Sequence, residues 1–172
     1  MKKLLNEPMI RFLIVGFVLY ITWFAIYEWW IHPLKWVDKA VIDNTLNISH
    51  AILIKLGYVA ELNGSRMIRI EGTPGLFIGD TCNGISLFAL FTIFIIAFPG
   101  NIISKFFFIP IGIFVIHLLN IIRVVILSII ETYSYTWTEF NHTYTFTIII
   151  YAYIFFMWLF WINKYSSVKK QP

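Results

Sequence analysis

Apolar residues along this chain gather into four runs, at about 10–31, 84–98, 106–130 and 144–162, separated by stretches that mix charge with turn formers. A helix crosses the hydrocarbon core of a bilayer in about 20 residues, with about 17–25 tolerated, so the runs predict transmembrane helices. The run at 84–98 is short and is expected to begin a few residues earlier, whereas its neighbours are long enough to tilt. The first run follows Met1-Lys2-Lys3, exceeds the apolar core of a signal peptide, ends in Glu28-Trp29-Trp30 and lacks a small-residue cleavage site. It reads as a retained anchor.

Between the first two runs the periodicity changes twice. Leu34, Val37, Val41, Ile48, Ile52 and Leu56 recur at helical spacing, which predicts an amphipathic helix over 34–56 that lies on the membrane or caps the bundle. Its polar face carries Lys35, Asp38, Lys39, Asp43, Asn47 and His50. Over 58–70, Asn63-Gly64 sits between alternating segments, a two-residue hairpin signal, and Gly72-Thr73-Pro74-Gly75 marks a second turn. The expected architecture is an all-α integral membrane fold. It has one polytopic domain over 1–172, about four transmembrane helices, and an outer amphipathic helix and small β-hairpin within the 32–83 loop.

Composition supports the same class: 59% of the 172 residues are hydrophobic and 13% charged, against about 45–50% and about 25% in soluble domains. The net charge of +4 is not a nucleic-acid footprint, because the basic residues cluster at segment ends instead of along one stripe. Lys2, Lys3 and Arg11 stand at the start of the first run, Lys105 in the turn before the third, and Lys164, Lys169 and Lys170 after the fourth. With four spans all three groups share one side, which the positive-inside rule makes cytoplasmic. Both termini are then inside, and the 32–83 and 131–143 loops face outward. Trp29, Trp30, Trp137, Trp158 and Trp161 read as interface belts, and the phenylalanine-rich helices as lipid-facing bulk.

Arg123 is the strongest physical anomaly. It falls within the third run, about 12 Å below its outer end at 1.5 Å per residue, and its side chain leans toward the helix N-terminus, away from the nearer surface. An arginine near the bilayer centre costs at least about 2.5–3.5 kcal/mol on insertion scales, so a polar partner or a wet pocket is required. Asn120, one turn earlier, shares that side of the helix. The alternative is a structural arginine bonding loop carbonyls.

Cys82 is the only cysteine, which excludes an intramolecular disulfide and leaves either a packing thiol or a reactive one. It lies in Asp80-Thr81-Cys82-Asn83-Gly84-Ile85, at the outer mouth of the second helix, with Thr81 or Asn83 as candidate caps. A helix N-terminus favours a thiolate, and Asp80 opposes it. A packing cysteine has little need of Gly84, which permits close backbone approach, or of polar neighbours. His142 opens the fourth helix on the same outer face. Cys82 and His142, both at helix N-termini above Arg123, would suit an activated thiol: the histidine takes the thiol proton and a cation stabilises the oxyanion. His32, His50 and His117 read as packing or surface polar groups. No two histidines have ligand spacing, so no metal site is expected.

The segments "DTCNGISLFALFTIFIIAFPG" at 80–100, "LLNIIRVVIL" at 118–127 and "FNHTYTFTIIIYAYIFFMWLFWINKY" at 140–165 resemble the exosortase/archaeosortase family of prokaryotic membrane transpeptidase-like proteins. In that family a Cys-(Ser/Asn)-Gly motif opens one membrane helix, an Asn-x-x-Arg motif lies in the next and a histidine opens a later one. The resemblance implies Cys82 as nucleophile, Arg123 as the supporting cation and His142 as general acid/base, with Asn120, Asn83 and Gly84 in support and no cofactor. It implies a thiol protease or transpeptidase of the bacterial inner membrane whose active site faces the periplasm or exterior. The partners it implies are the lipid bilayer, a membrane-tethered substrate with a C-terminal sorting signal, and an unknown acyl acceptor. With about four spans instead of about eight, the chain looks like a compact Bacteroidetes-type member. Two other readings stand beside it: a non-catalytic membrane assembly factor in exopolysaccharide export or secretion, and a small transporter using Arg123 as an anion site. The lack of inverted repeats and broken helices argues against the transporter.

Overall fold

In the computed structural model, which describes residues 8–166, helices dominate and a small sheet sits at one end. Helix α1 runs over Pro8–Ile26 and continues through a π-helical turn, Tyr27–Ile31, to Leu34. Lys35, at φ 55°, breaks the rod and leads into α2, Trp36–Lys55. Strands β1 (Ala60–Asn63), β2 (Met67–Ile70) and β3 (Leu76–Phe77) form an antiparallel sheet in that order. A 3-10 turn, Asp80–Cys82, precedes α3, Ile85–Ala97. The long α4 spans Ile102–Glu131, and α5 runs over Tyr135–Lys164 with a π-helical turn, Asn141–Thr145, inside it.

Three of these helices, α1, α4 and α5, are long and apolar enough to cross a membrane. The run expected to supply another span yields only the 13-residue α3, short of the about 17–25 residues that cross unaided. It does not begin earlier than its apolar run, because Gly84 adopts φ +85° and sets the first helical residue at Ile85. The turn before α4 is also tighter than expected. Asn101 accepts a hydrogen bond from the Ile103 N–H at 2.9 Å and starts the helix there. Lys105 therefore lies inside α4, and its ammonium donates to the carbonyls of Ile96 and Phe98, 2.7 Å each, satisfying acceptors at the end of α3.

The expected hairpin is present but gains a third strand. Asn63 pairs with Met67, so the loop is the three residues Gly64-Ser65-Arg66 and not Asn63-Gly64 alone. The amphipathic helix is present with a different buried face. Asp38, Ile42, Thr45, Leu46, Ser49 and Leu53 point inward, while Leu34, Ile48 and Leu56 are exposed. The reason is tertiary. The helix packs along α4, where Asn44 meets the His117 ring at 2.8 Å and Ile42, Leu46 and Leu53 share a core with Val124 and Val125. The sheet closes that core from above through Ala60, Ile68 and Ile70.

A second core joins α3, α4 and α5 through Phe91, Ile95, Phe108, Ile116, Ile150, Ile154 and Trp161. Gly112 allows the close approach of α3 to α4, since a Cβ there would lie 2.2 Å from the Phe91 ring. Trp161 is fully buried and Trp158 stacks on Phe94 at 4.1 Å, so these two are packing residues and not interface belts. Trp29, Trp30 and Trp137 are exposed. Phe91 and Phe108 are likewise buried and depart from the lipid-facing expectation, whereas Phe17, Phe106, Phe107, Phe114, Phe155 and Phe156 are exposed as expected.

The ends of the bundle differ in chemistry. Phe12 meets Phe98, Lys105 binds the Phe98 carbonyl and Gly100 pairs with Ser166, which gathers Arg11, Lys105 and Lys164 at one end. The sheet and Cys82 occupy the other. Lys2, Lys3, Lys169 and Lys170 lie outside the described residues.

Candidate functional site

The Cys82-Asn83-Gly84 turn is held from three directions. Gly84 needs its left-handed φ of +85° to turn the chain into α3, a conformation in which any side chain is strained. Asn83 accepts from the Ile85 N–H at 2.9 Å and so caps the first turn of α3, while its amide donates to Asp38 Oδ1 at 2.5 Å. From α4, the Asn120 amide donates to the carbonyls of Cys82 and Asn83, at 3.3 and 3.4 Å. Cys82 therefore stands before the helix start and not within the first α-helical turn. Its position is set by bonds to residues on two other helices.

Against this turn the structure brings two of the groups singled out in the sequence. His142 Nε2 lies 3.3 Å from the Cys82 sulfur, and Arg123 Nη2 donates toward the same sulfur at 3.8 Å. Arg123 is 9% exposed, and among the described residues its guanidinium makes no ion pair with a carboxylate. It leans back from its own position to the level of Asn120, as helical side chains do. A buried cation aimed at sulfur and a basic nitrogen in contact with it are the components that take a thiol proton and hold the anion that remains.

His142 does not open a helix. The chain is already helical from Tyr135, and His142 sits in the π-helical turn Asn141–Thr145. A π turn inserts an extra residue into the helix and re-aims the side chains around it, a device frequent at functional sites. The 131–143 loop expected from the sequence is reduced to the short turn 132–134.

Two acidic residues near the site have roles the sequence did not disclose. Asp38, placed on a solvated helix face by its spacing, is 1% exposed and accepts from the Tyr27 hydroxyl at 2.7 Å as well as from Asn83. Its other oxygen has no hydrogen-bond partner among the described residues. Asp80, next to the cysteine turn, forms an ion pair with Arg66 at 2.6 Å and meets His32 at 3.5 Å. Burial disfavours the Asp80 charge, but the hydrogen bond and charge of Arg66, aided by His32, outweigh it and hold the carboxyl below its usual range. The opposition to a thiolate expected from Asp80 is thus offset by its own partner. His50, far from the cysteine, meets the Ala60 carbonyl at 3.0 Å and ties α2 to the sheet.

A cavity of about 310 Å³ opens from the cysteine between α3 and α5, lined by Cys82, Ser86, Leu87, Arg123, His142, Thr143, Thr147, Ile150 and Tyr151. On the sheet side Leu76, Phe77 and Ile78 close over the same three groups. The Cys82 sulfur, the His142 ring and the Arg123 guanidinium therefore share one open side, toward the gap between two apolar helices.

A family model described as transmembrane exosortase matches residues 9–163. No curated protein and no solved structure matches this chain.

Proposed function

The chain belongs to the transmembrane exosortase family, and we propose that it is a membrane cysteine protease or transpeptidase that cleaves C-terminal sorting signals of exported proteins. The observation that carries this reading is the Cys82 sulfur with His142 Nε2 at 3.3 Å and Arg123 Nη2 at 3.8 Å. In the orientation proposed, α3 serves as the fourth span, both termini are cytoplasmic and the cysteine end faces the periplasm or exterior of a bacterial inner membrane. The basic end with Arg11, Lys105 and Lys164 supports that orientation.

The reaction begins when the thiol proton passes to His142 and the thiolate attacks the scissile carbonyl carbon. The carbonyl electrons move to oxygen, where Arg123 stabilises the oxyanion. As that intermediate collapses, the C–N bond breaks and His142 returns the proton to the departing amine. The acyl group is left on sulfur as a thioester. An amine, a hydroxyl or water, deprotonated by His142, then takes the acyl group and restores the thiol. Asn120, Asn83 and Gly84 position the cysteine and do not touch the reacting atoms.

The test is Cys82→Ala in cells that carry a matched substrate, a protein ending in a short motif, an apolar span and a basic tail. Processing is expected to stop while the variant still accumulates in the membrane. Unchanged processing would remove Cys82 as nucleophile.

A further inference from the structure

Helix hydroxyls in this bundle either bond back to their own helix or do not, and four of the second kind line the cavity beside Cys82. Thr22, Thr45, Ser128 and Thr138 turn their hydroxyls back onto the carbonyl four residues earlier, at 2.8, 2.8, 2.9 and 3.1 Å. That is the ordinary fate of a hydroxyl on a helix in an apolar setting. Ser86, Thr143, Thr147 and Tyr151, which line the cavity, make no such bond among the described residues. Their donors and acceptors remain available to whatever enters. The floor beneath them is hydrocarbon, from Leu87 and Ile150.

A peptide bond is attacked from an extended backbone, and an extended backbone at membrane depth needs partners for each N–H and C=O it exposes. A row of hydroxyls down one side of a cleft supplies them. Tyr151 lies about 13 Å further along α5 than His142 at 1.5 Å per residue, which matches about four residues of extended chain at 3.3 Å each. The row leads from the sulfur along α5 toward the end that carries Lys164, the direction in which a membrane-tethered substrate continues after its scissile bond. We propose that the cleft between α3 and α5 binds, as an extended strand, the residues on the C-terminal side of the scissile bond, with Ser86, Thr143, Thr147 and Tyr151 hydrogen-bonding their backbone. This assignment rests on the function proposed above. Selection in the cleft acts on backbone and small side chains, because hydroxyls read amides and not sequence.

The experiment uses the full chain in nanodiscs and two electrophiles that differ only in backbone: bromoacetyl-Ala-Ala-Ala dodecylamide and bromoacetyl dodecylamide. In both, the thiolate displaces bromide to form a thioether, and the C-terminal tail extends in the direction a substrate would. With one cysteine in the chain, the intact-mass adduct that the wild type gains and Cys82→Ala does not reports Cys82. The peptide reagent is expected to react about tenfold faster than the alkyl one, from hydrogen bonds worth about two- to tenfold each. The near-isosteric triple variant Ser86→Ala, Thr147→Val, Tyr151→Phe should bring the ratio of the two rates close to one. Methylating the three alanine nitrogens should do the same in the unaltered protein, which controls for misfolding of the variant. A ratio near one in the wild type, or a ratio unaffected by the triple variant, would overturn the cleft assignment while leaving Cys82 as a reactive thiol. Labelling by neither reagent in the native protein, with labelling after denaturation, would overturn both the cleft and the nucleophile.

Discussion

The two halves of the bundle are held together by different physics. Around Phe91, Phe108, Ile116, Ile154 and Trp161 the helices meet by shape, with a glycine at the closest contact and aromatic rings stacked across the seams. Around Cys82 an apolar core of α2, α4 and the sheet is supplemented by hydrogen bonds between residues far apart in sequence, Asp38 with Asn83 and Asn120 with the cysteine turn. Packing tolerates substitution that conserves volume. A bonded turn tolerates almost none, because each lost partner leaves a buried polar group unpaired. The same chain thus has one half built for cohesion and another built for position. Substitutions should separate the two: those at the cysteine end lose reactivity before stability, and those at the aromatic end lose stability before reactivity.

The largest effect that would sharpen this contrast is expected at Arg123. Arg123→Lys retains the charge but loses the planar fork that reaches the sulfur at 3.8 Å. Substrate processing should fall by about 100-fold, the scale of removing one oxyanion donor, with the amount of protein in the membrane unchanged. Processing at the wild-type rate would make Arg123 a structural cation and place the boundary between the halves elsewhere.

Gly112→Ala probes the other half. The added methyl would stand 2.2 Å from the Phe91 ring, so α3 and α4 must separate or the ring must leave its place. Overpacking of this kind costs about 1–3 kcal/mol. Thermal unfolding in detergent should shift downward, while the alkylation rate of Cys82 in the folded protein stays within about twofold, since no residue of the cysteine turn touches Gly112. A collapse of Cys82 reactivity at unchanged stability would break the comparison.

How far the sequence discloses each half follows from the same difference. Hydropathy located the long helices, because burial in lipid or in a shape-packed core both select apolar side chains, but it missed the first turns of α5, which begins at Tyr135 and not at Tyr144. It placed the start of α3 too early, since an apolar run does not show that Gly84 sets the first helical residue at Ile85. Cys82, Arg123 and His142 were legible as polar residues that an apolar helix has no reason to hold, and the structure brings them within 3.8 Å of one sulfur. Asp38 was not. Its spacing placed it with Lys35 and Lys39 on a solvated face, and only the contact of α2 with the cysteine turn makes it a buried acceptor. The π turn around His142 was equally hidden, because one inserted residue leaves no mark on hydrophobic periodicity.

Asp38→Ala tests that hidden bond. It leaves the Tyr27 hydroxyl and the Asn83 amide without their acceptor, a loss on the order of 1–2 kcal/mol for buried polar groups. The expected result is a modest drop in thermal stability together with a clear fall in Cys82 alkylation, as Asn83 loses its tether. Asp38→Asn retains an acceptor oxygen and should recover much of that rate. If the two variants behave alike, the carboxylate's charge and not its acceptor geometry is what the turn needs.

The smallest effect is expected at Asp80, at the rim of the positioned half. Its carboxyl is one-third exposed, and burial is outweighed by Arg66 and His32, which hold its pKa below the ordinary value. A carboxylate whose folded-state pKa lies below its unfolded value, about 3.9, contributes its full stabilisation above that value. It loses the contribution as pH falls through the lower, folded one. Wild-type unfolding temperatures should therefore decline more steeply below about pH 4 than those of Asp80→Asn, by an amount under about 1 kcal/mol for so exposed a pair. At neutral pH the Arg66 charge already offsets Asp80, so Cys82 alkylation in Asp80→Asn should stay near the wild-type rate. A several-fold rise would mean that the thiol feels the carboxylate despite Arg66. The ion pair would then belong to the electrostatics of the reactive sulfur and not to the tether of its turn.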